Sequence, residues 1–170
     1  MKNTFCLCGF KHVGKTTIGK KLASKLKIPF VDLDQEIRKL YGKTAPELYL
    51  AYGEAIFRQL EYLALETLDL SAKQILSLGG GTITYSRSKE KVLEKTHLVC
   101  LTIPYNRLEK RILAKTPLWS ALDKNNPKES LKILHDKREL IFDSLLIPKF
   151  SIKDSLSIKN LEDYARQYFW

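Results

Sequence analysis

Residues 9–16 read Gly9-Phe10-Lys11-His12-Val13-Gly14-Lys15-Thr16. This stretch, called the phosphate loop below, matches the pattern G-x-x-x-x-G-K-[ST] at every fixed position. Its glycines allow successive backbone N–H groups to turn inward around a phosphate, and the following helix points its positive end at the same place. The pattern predicts that Lys15 reaches the terminal phosphates of a nucleotide and that the Thr16 hydroxyl ligates a magnesium ion.

The sequence on either side of the phosphate loop supports this interpretation. Thr4–Cys8 is typical of a short apolar strand, and Thr17–Leu26 has the pattern of an amphipathic helix with Ile18, Leu22 and Leu26 on one face. Strand, loop and helix therefore follow one another in the required order.

Two other interpretations of the loop fit less well. The dinucleotide-binding pattern G-x-G-x-x-G needs a middle glycine where this chain has Lys11. A glycine turn without a ligand leaves Lys15 and Thr16 unexplained at the start of the helix.

Length and composition predict one globular domain over residues 1–170, because 44% of the residues are hydrophobic and the chain is long enough to bury a core. Met1 leads directly into the first strand, and no apolar run approaches the ~20 residues that span a bilayer. We therefore expect no signal segment, no membrane partner and a cytoplasmic location.

The formal net charge of +10 permits either a nucleic-acid partner or an anionic small-molecule substrate. The positive residues are spread along the chain, with a local concentration between Arg107 and Lys115. They lack the interleaved aromatic residues of a platform for single-stranded nucleic acid. The charge alone does not choose between the two partners.

Short apolar runs alternate with helical patterns along the chain. This alternation predicts an α/β fold with a parallel sheet covered by helices on both faces. The predicted strands are Phe5–Cys8, Ile28–Val31, Gln74–Leu78, Leu98–Ile103 and Phe150–Ile152.

Two stretches interrupt this alternation, and both are placed to serve a ligand site at the carboxyl ends of the strands. Residues 33–70 hold three helical segments that can shape a pocket for a second substrate. Residues 114–126 form a loop, rich in turn formers and basic residues, that can act as a lid. The last helical segment, about Glu54 to Leu68, is predicted to turn Ile56, Leu60, Leu63 and Leu68 toward a core.

Asp32 and Asp34 close the second predicted strand beside the phosphate loop. One carboxylate can help Thr16 to hold magnesium, and the other can accept a hydrogen bond from a substrate hydroxyl and assist its deprotonation. The alternative is an aspartate that caps a helix together with a solvated one.

Three further features allow both a functional and a structural interpretation. Arg58 and Glu61 share a helix face and form either a held fork for a carboxylate or phosphate, or an ordinary surface pair. Gly79–Gly81 permit either a close approach of a ligand or a flexible turn. Arg138 is either a ligand-binding base or a solvated helix residue.

Together these motifs resemble the shikimate kinase family over most of the chain. The resemblance rests on the phosphate loop, Asp32-x-Asp34, Gly53-Glu54-x-x-Phe57-Arg58-x-x-Glu61, Ser77-Leu78-Gly79-Gly80-Gly81 and Lys137-Arg138. It implies a three-layer P-loop kinase fold with a five-stranded parallel sheet, a substrate-binding segment at about 33–62 and a lid at about 112–126. It also implies transfer of the γ-phosphoryl group of ATP to the 3-hydroxyl of shikimate, a step of aromatic amino acid biosynthesis.

The resemblance implies a role for each matching residue. Lys15 and Asp34 would be catalytic, and Thr16 and Asp32 would serve Mg²⁺. ATP would contact Gly9, Lys11, His12, Val13, Gly14, Lys15, Thr16, Thr17, Arg111 and Lys115. Shikimate would contact Asp34, Arg58, Glu61, Gly79, Gly80, Gly81 and Arg138.

The chain departs from the family in the lid, where the family usually has Arg-Pro-Leu-Leu. This chain reads Lys115-Thr116-Pro117-Leu118-Trp119, so a threonine stands in place of the arginine that reaches the ATP phosphates. Either Lys115 or Arg111 replaces that arginine, or the lid contributes less charge. We expect lower turnover or a rearranged lid, and no change of reaction class.

Two other functions remain as alternatives to a monomeric shikimate kinase without a nucleic-acid partner. One is another small-molecule kinase of the same fold, although the aspartate and arginine set suits a carboxylated polyol better than a nucleotide. The other is a basic nucleotide-binding module that contacts nucleic acid, which does not explain Asp34 beside the phosphate loop.

Overall fold

A computed structural model of the chain describes residues 2–115 and 119–169. Its strands are β1 (Thr4–Cys8), β2 (Phe30–Asp32), β3 (Gln74–Ser77), β4 (Thr96–Thr102) and β5 (Lys149–Ser151). All five are parallel and lie in the order β2-β3-β1-β4-β5. The helices are α1 (Lys15–Leu26), α2 (Leu33–Tyr41), α3 (Ala45–Glu66), α4 (Ser86–Lys95), α5 (Tyr105–Leu113), α6 (Pro127–Ser144) and α7 (Ser155–Arg166), with a 3₁₀ turn at Thr82–Thr84. The sheet confirms the predicted fold class.

Side chains of β1 alternate between two apolar layers, as the twofold period of a strand requires. Phe5 and Leu7 belong to a cluster that includes α1 and α7, whereas Cys6 and Cys8 belong to a second cluster that includes α2, α3 and α4. The sheet is therefore covered on both faces. Because β1 is the central strand, the phosphate loop begins at the middle of the row of carboxyl-terminal strand ends.

The segment between β2 and β3 is helical in three pieces, as predicted. Asp32 caps α2, and Thr44 opens α3 with a capping box that it shares with Glu47. The φ angle of 76° at Gly53 breaks α3 into two parts. Glycine adopts this left-handed conformation without steric cost.

The predicted buried face of the second part of α3 is half right: Leu60 and Leu68 pack against the second apolar cluster, but Ile56 and Leu63 do not. Ile56 is 47% exposed and Leu63 is 53% exposed. The helix instead buries a face that consists of Phe57, Arg58, Glu61, Ala64 and Leu65. Hydrophobic periodicity treats charged residues as solvent-facing, and this helix turns an ion pair inward.

Among the described residues, no helix combines the length and the apolar character that crossing a membrane requires.

Candidate active site

A cavity of about 840 Å³ lies at the carboxyl ends of the strands. It brings together all the residues assigned to the site from the sequence except Gly9, which does not line it. The phosphate loop lines one part of the cavity, and Asp34, Arg58 and Gly79–Gly81 line another part, which adjoins the loop at Lys11. Residues that are up to 127 positions apart in the chain, from Lys11 to Arg138, thus meet in one cleft.

Glycine conformations shape the phosphate loop. Gly14 caps α1 with a φ angle of 107°, so the loop turns directly into the helix. Gly9 has a φ angle of 134°, and a Cβ atom there would lie 2.2 Å from the carbonyl oxygen of Leu101. Gly9 therefore shapes the loop by close contact with β4, although it does not line the cavity.

The Lys15 side chain is buried beneath the phosphate loop. Its Nζ donates hydrogen bonds to the carbonyl oxygens of Gly9 and Phe10, both at 2.9 Å. Burial lowers the pKa of Lys15 to about 8, and the Asp34 carboxylate opposes this shift. At neutral pH Lys15 is therefore charged, with a third donor left for a phosphate oxygen.

Positive charge surrounds the phosphate loop. The pKa of His12 falls to about 4, first because of burial and then because Lys11, Lys115, Lys15 and Arg111 all repel a charged imidazole. His12 is neutral at pH 7, while the lysines and the arginine create a field that attracts a polyphosphate.

Thr16 and Asp32 form a small oxygen site at the edge of the loop. The Thr16 hydroxyl donates to Asp32 Oδ2 at 2.7 Å, and Asp32 Oδ1 accepts from the backbone N–H of Asp34 at 3.1 Å. Asp32 is thus the helix-capping aspartate that the sequence allowed as an alternative, and it also faces Thr16. A hydroxyl and one carboxylate fit magnesium, which takes most of its ligands from water and phosphate oxygens. No cluster of three or more histidine, cysteine, aspartate or glutamate side chains within residues 2–115 and 119–169 forms a ready-made metal site.

Asp34 lies open to the cleft among charged neighbours. The surrounding protein raises its pKa to about 6, first by desolvation and then by repulsion from Glu61 and Asp32. Lys15 and Lys11 oppose the shift. A carboxyl group that titrates close to neutral pH suits a proton acceptor.

Arg58 and Glu61 are a buried ion pair and not a surface pair, since they are 7% and 1% exposed. Arg58 Nη1 donates to Glu61 Oε2 at 2.7 Å, and Thr82 donates its hydroxyl to Glu61 Oε1, also at 2.7 Å. Glu54 adds a second carboxylate 3.6 Å from Arg58 Nη2. Arg58 Nε is buried without a hydrogen-bond partner among the described residues.

Arg138 reaches the same end of the cleft from α6. It is 4% exposed and donates from Nη1 to the carbonyl oxygen of Gly80 at 3.2 Å. Burial, and then repulsion from Arg58, lowers its pKa to about 10, so Arg138 remains charged at pH 7. No described carboxylate lies within ion-pair distance of Arg138. Arg138 is therefore a buried guanidinium group without a described carboxylate partner of its own, next to the paired Arg58.

The three consecutive glycines are packed against this charged cluster. A Cβ at Gly81 would lie 2.2 Å from Arg58 Nη2 and 2.9 Å from Arg138 Nη2. A Cβ at Gly79 would lie 2.5 Å from Glu61 Oε1, and one at Gly80 would lie 2.8 Å from the backbone nitrogen of Lys11. These contacts show that the segment is closely packed, which a merely flexible turn would not require.

The part of the cavity beside His12 carries further basic residues. Arg111 Nη1 donates to the carbonyl oxygen of His12 at 3.1 Å, and Arg107 Nη1 donates to that of Lys153 at 3.2 Å. Asp154, which caps α7, lines the same part of the cavity, as does Lys115. Thr116, the departure in the lid, lies outside the described residues.

Sequence reasoning missed three residues of the site. Thr82 donates a hydrogen bond to Glu61. No sequence motif marks this threonine, which simply follows the three glycines. Arg107 lines the cavity from the basic stretch that had been noted only for its charge. Trp119 packs edge to face on Phe10, with ring centroids 5.8 Å apart. Its position after the lid proline was the available signal.

Known proteins share both the sequence pattern and the fold of this chain. A family model described as shikimate kinase matches residues 11–160. A shikimate kinase of Chlorobium chlorochromatii is 42% identical over 110 residues, which cover 65% of this chain and 58% of that relative. One of Novosphingobium aromaticivorans is 37% identical over 139 residues, covering 78% of this chain and 70% of the relative.

A solved structure extends the similarity to the whole fold. The shikimate kinase of Acinetobacter baumannii, solved in complex with shikimate, superposes with a TM-score of 0.85 at 26% identity, covering 98% of this chain and 92% of that one. With the family match over residues 11–160 and a relative 37% identical along most of both chains, these similarities lead to one conclusion: the chain belongs to the shikimate kinase family.

Proposed function

We propose that this protein transfers the γ-phosphoryl group of ATP to the 3-hydroxyl of shikimate, giving shikimate 3-phosphate and ADP in aromatic amino acid biosynthesis. The convergence of Arg58 and Arg138 on Gly81, within the cavity that the phosphate loop lines, carries this proposal. Two buried cations suit the carboxylate of a small acceptor, since guanidinium groups bind carboxylates with paired hydrogen bonds.

At one end of the cavity, ATP would lie with its phosphates in the phosphate loop. The backbone of residues 11–17 and the first turn of α1 would donate to the phosphates. Lys15 would leave the carbonyl oxygens that it now contacts, or keep one of them, and donate to the γ-phosphoryl oxygens. Arg111 and Lys115 would approach the nucleotide from the lid side. Thr16 and Asp32 would hold Mg²⁺, which shields the phosphate charge.

At the other end of the cavity, basic residues would bind the carboxylate of shikimate, and an acidic residue would bind its hydroxyl groups. Arg58 and Arg138 would bind the carboxylate, with Glu61 and Thr82 keeping Arg58 in place. Asp34 would accept hydrogen bonds from the ring hydroxyls and receive the proton of the attacking 3-hydroxyl. Phosphoryl transfer requires mainly positioning and charge stabilisation, and this arrangement supplies both.

We further propose that the protein acts as a monomer in the cytoplasm without nucleic acid. Residues 33–62 would bind the acceptor and residues 112–126 would act as the lid, within one domain. The monomer is supported by a cleft whose two ends both come from one chain. Light scattering coupled to gel filtration tests it.

The proposed activity is tested by coupled detection of ADP. Purified protein is supplied with ATP, magnesium and one acceptor at a time: shikimate, its methyl ester, gluconate or a nucleoside monophosphate. We expect ADP release with shikimate and a large loss with the ester, which lacks the anionic carboxylate. Absence of shikimate-dependent ADP would contradict the proposal. Release with a nucleotide or gluconate instead would support another kinase of the same fold.

The pKa of Asp34 predicts how turnover depends on pH. Because this pKa is raised to about 6 and the carboxylate form accepts the proton, kcat/KM for shikimate should rise with pH and level off above about 6. A pH series of initial rates at saturating ATP checks this. If kcat/KM instead stops rising near pH 4, a group other than Asp34 controls the reaction.

Replacing Gly81 with alanine should weaken acceptor binding selectively. The added Cβ would displace the ends of Arg58 and Arg138, and we expect KM for shikimate to rise roughly 10- to 100-fold, because small misplacements of positioning groups are costly. ADP affinity, measured by calorimetry on the same variant, is the control and should stay near the wild-type value. Equal losses of both affinities would indicate general disruption.

A further inference from the structure

The Lys11 side chain of the phosphate loop lines the cavity and has no hydrogen-bonding partner among residues 2–115 and 119–169. Its Nζ lies 4.9 Å from the centroid of the Trp119 ring. It donates no hydrogen bond to any described residue, and no described carboxylate lies within ion-pair distance. An ammonium group has three donors, and an aromatic face satisfies its charge but not those donors.

The backbone of Lys11 packs against the backbone of Gly80. A Cβ at Gly80 would lie 2.8 Å from the Lys11 nitrogen and 3.0 Å from its Cα, so the two backbones are in close contact. Gly80 also accepts a hydrogen bond from Arg138. The backbone of Lys11 therefore lies where the phosphate loop adjoins the acceptor end of the cavity.

The Trp119 ring lies close to two cations, Lys11 and Arg138. It faces Arg138, whose guanidinium carbon lies 5.2 Å from the ring centroid, as well as Lys11. Phe10 packs edge to face against the ring and lies 5.2 Å from the same guanidinium carbon. Cations on an aromatic face are stabilised by the ring quadrupole, so Trp119 can hold two like charges near each other.

Charge interactions support the same placement. Asp34 is the strongest charged influence on Lys11, and Arg138 is the next. Both belong to the acceptor end, while Lys11 itself belongs to the loop that would hold ATP. Lys15, by comparison, already uses two donors on loop carbonyl oxygens.

We infer that Lys11 is a second phosphate-directed cation of the loop, held by Trp119, and that it contacts the phosphoryl group as this group passes from ATP to the acceptor. This inference rests on the proposed function. In the transfer, the bond from the γ-phosphorus to the bridging oxygen of ADP breaks while the bond to the acceptor oxygen forms, and the hydroxyl proton passes to Asp34. Lys11 stabilises the equatorial oxygens, and Trp119 is a positioning residue.

Four variants separate these roles from a structural one. Lys11→Met removes the charge and keeps an apolar stem on the ring, while Lys11→Arg keeps a cation. Trp119→Leu removes the ring, and Trp119→Phe keeps one. Lys20→Met, on the exposed side of α1, makes the same change of net charge away from the cavity and serves as the control.

We expect Lys11→Met to lower kcat roughly 100-fold, the lower end of the loss for one preorganised donor, with thermal stability as in the Lys20→Met control. Lys11→Arg and Trp119→Phe should recover part of the rate. The double variant Lys11→Met/Trp119→Leu should lose less than the product of the two single losses, although Trp119 also faces Arg138. A Lys11→Met enzyme as fast as the control overturns the inference. So does a rate loss that is matched by a loss of thermal stability in both Lys11 variants. Additive effects in the double variant overturn the positioning role of Trp119.

A spectroscopic measurement keeps this test independent of the acceptor. The chain has two tryptophans, so Trp170→Phe leaves Trp119 as the only one. In that background we expect ATP with magnesium to change the Trp119 emission, and Lys11→Met to abolish most of the change. An unaltered response in Lys11→Met overturns the inference even if shikimate is phosphorylated. A lost response without shikimate-dependent ADP release would support Lys11 while refuting the proposed acceptor.

Discussion

Replacing Lys15 with methionine is expected to lower kcat by about 10³-fold, the upper range for removing one preorganised donor from a site of developing charge. Lys15 is buried under the phosphate loop, and the first turn of α1 fixes its backbone, so no other lysine can take its position. The measurement is the initial rate of ADP release at saturating ATP and shikimate. ADP affinity should change much less, because backbone N–H groups hold most of the phosphate contacts.

The control for this change is Lys20→Met, which removes a lysine from the solvent side of the same helix and should leave kcat unchanged. The pKa of Lys15 gives a second check. It is lowered to about 8, so kcat/KM for ATP should fall as the pH rises through 8 and this lysine loses its proton. A Lys15→Met enzyme within tenfold of the wild type would show that another cation carries the transferred charge.

The parts of the site that the residue pattern predicted without the family resemblance are those fixed by local chain geometry. The phosphate loop joins a strand to a helix, so Gly14 and Lys15 take their places through contacts within a few residues. The parallel sheet followed from the alternation of apolar runs and helices, which reflects how each element must be buried. Asp32 was correctly placed at the end of β2 for the same local reason.

The remaining parts depend on contacts between distant segments. The buried face of α3 is set by Glu61, which Thr82 and Arg58 both contact, and a hydrophobic pattern cannot show that a charged pair is the inward side. The direction of Lys11 depends on Gly80, almost seventy residues away, and on Trp119 beyond the lid proline. Neither partner is predictable from spacing in the sequence.

The structure also shows that contacts within the protein require glycine at Gly79–Gly81. A close approach of a ligand was one expectation for Gly79–Gly81, yet all three are already limited by protein atoms. Gly81 makes room for two arginines, Gly80 for the phosphate loop and Gly79 for Glu61. The segment therefore links the nucleotide end of the cleft to the acceptor end, and each substitution should alter the group that its glycine contacts: the two arginines for Gly81, and Lys11 of the phosphate loop for Gly80.

Replacing Asp34 with asparagine is expected to lower kcat roughly 10²- to 10⁴-fold, which is the usual contribution of a positioned acid or base. Asparagine keeps the size and one oxygen acceptor of the side chain, but it cannot take up the proton of the attacking hydroxyl. The rise of kcat/KM below about pH 6 should disappear in this variant, since the group that titrates there is gone. A variant that keeps both the wild-type rate and the acid limb would remove Asp34 from the reaction.

The same substitution should make the protein more stable at neutral pH. The folded-state pKa of Asp34 is raised from 3.8 to about 6, so ionising this carboxyl group costs free energy of folding that accumulates as the pH rises from 3.8 to about 6 and persists above it. Asparagine carries no charge and avoids that cost. Thermal unfolding at pH 7 should therefore show a higher Tm for Asp34→Asn than for the wild type, with the difference vanishing toward pH 4. A lower Tm at pH 7 would mean that attraction to Lys15 and Lys11 outweighs desolvation and the repulsion from Glu61 and Asp32. A loss of turnover together with a gain in Tm is the result expected of a carboxylate retained for chemistry at the expense of the fold.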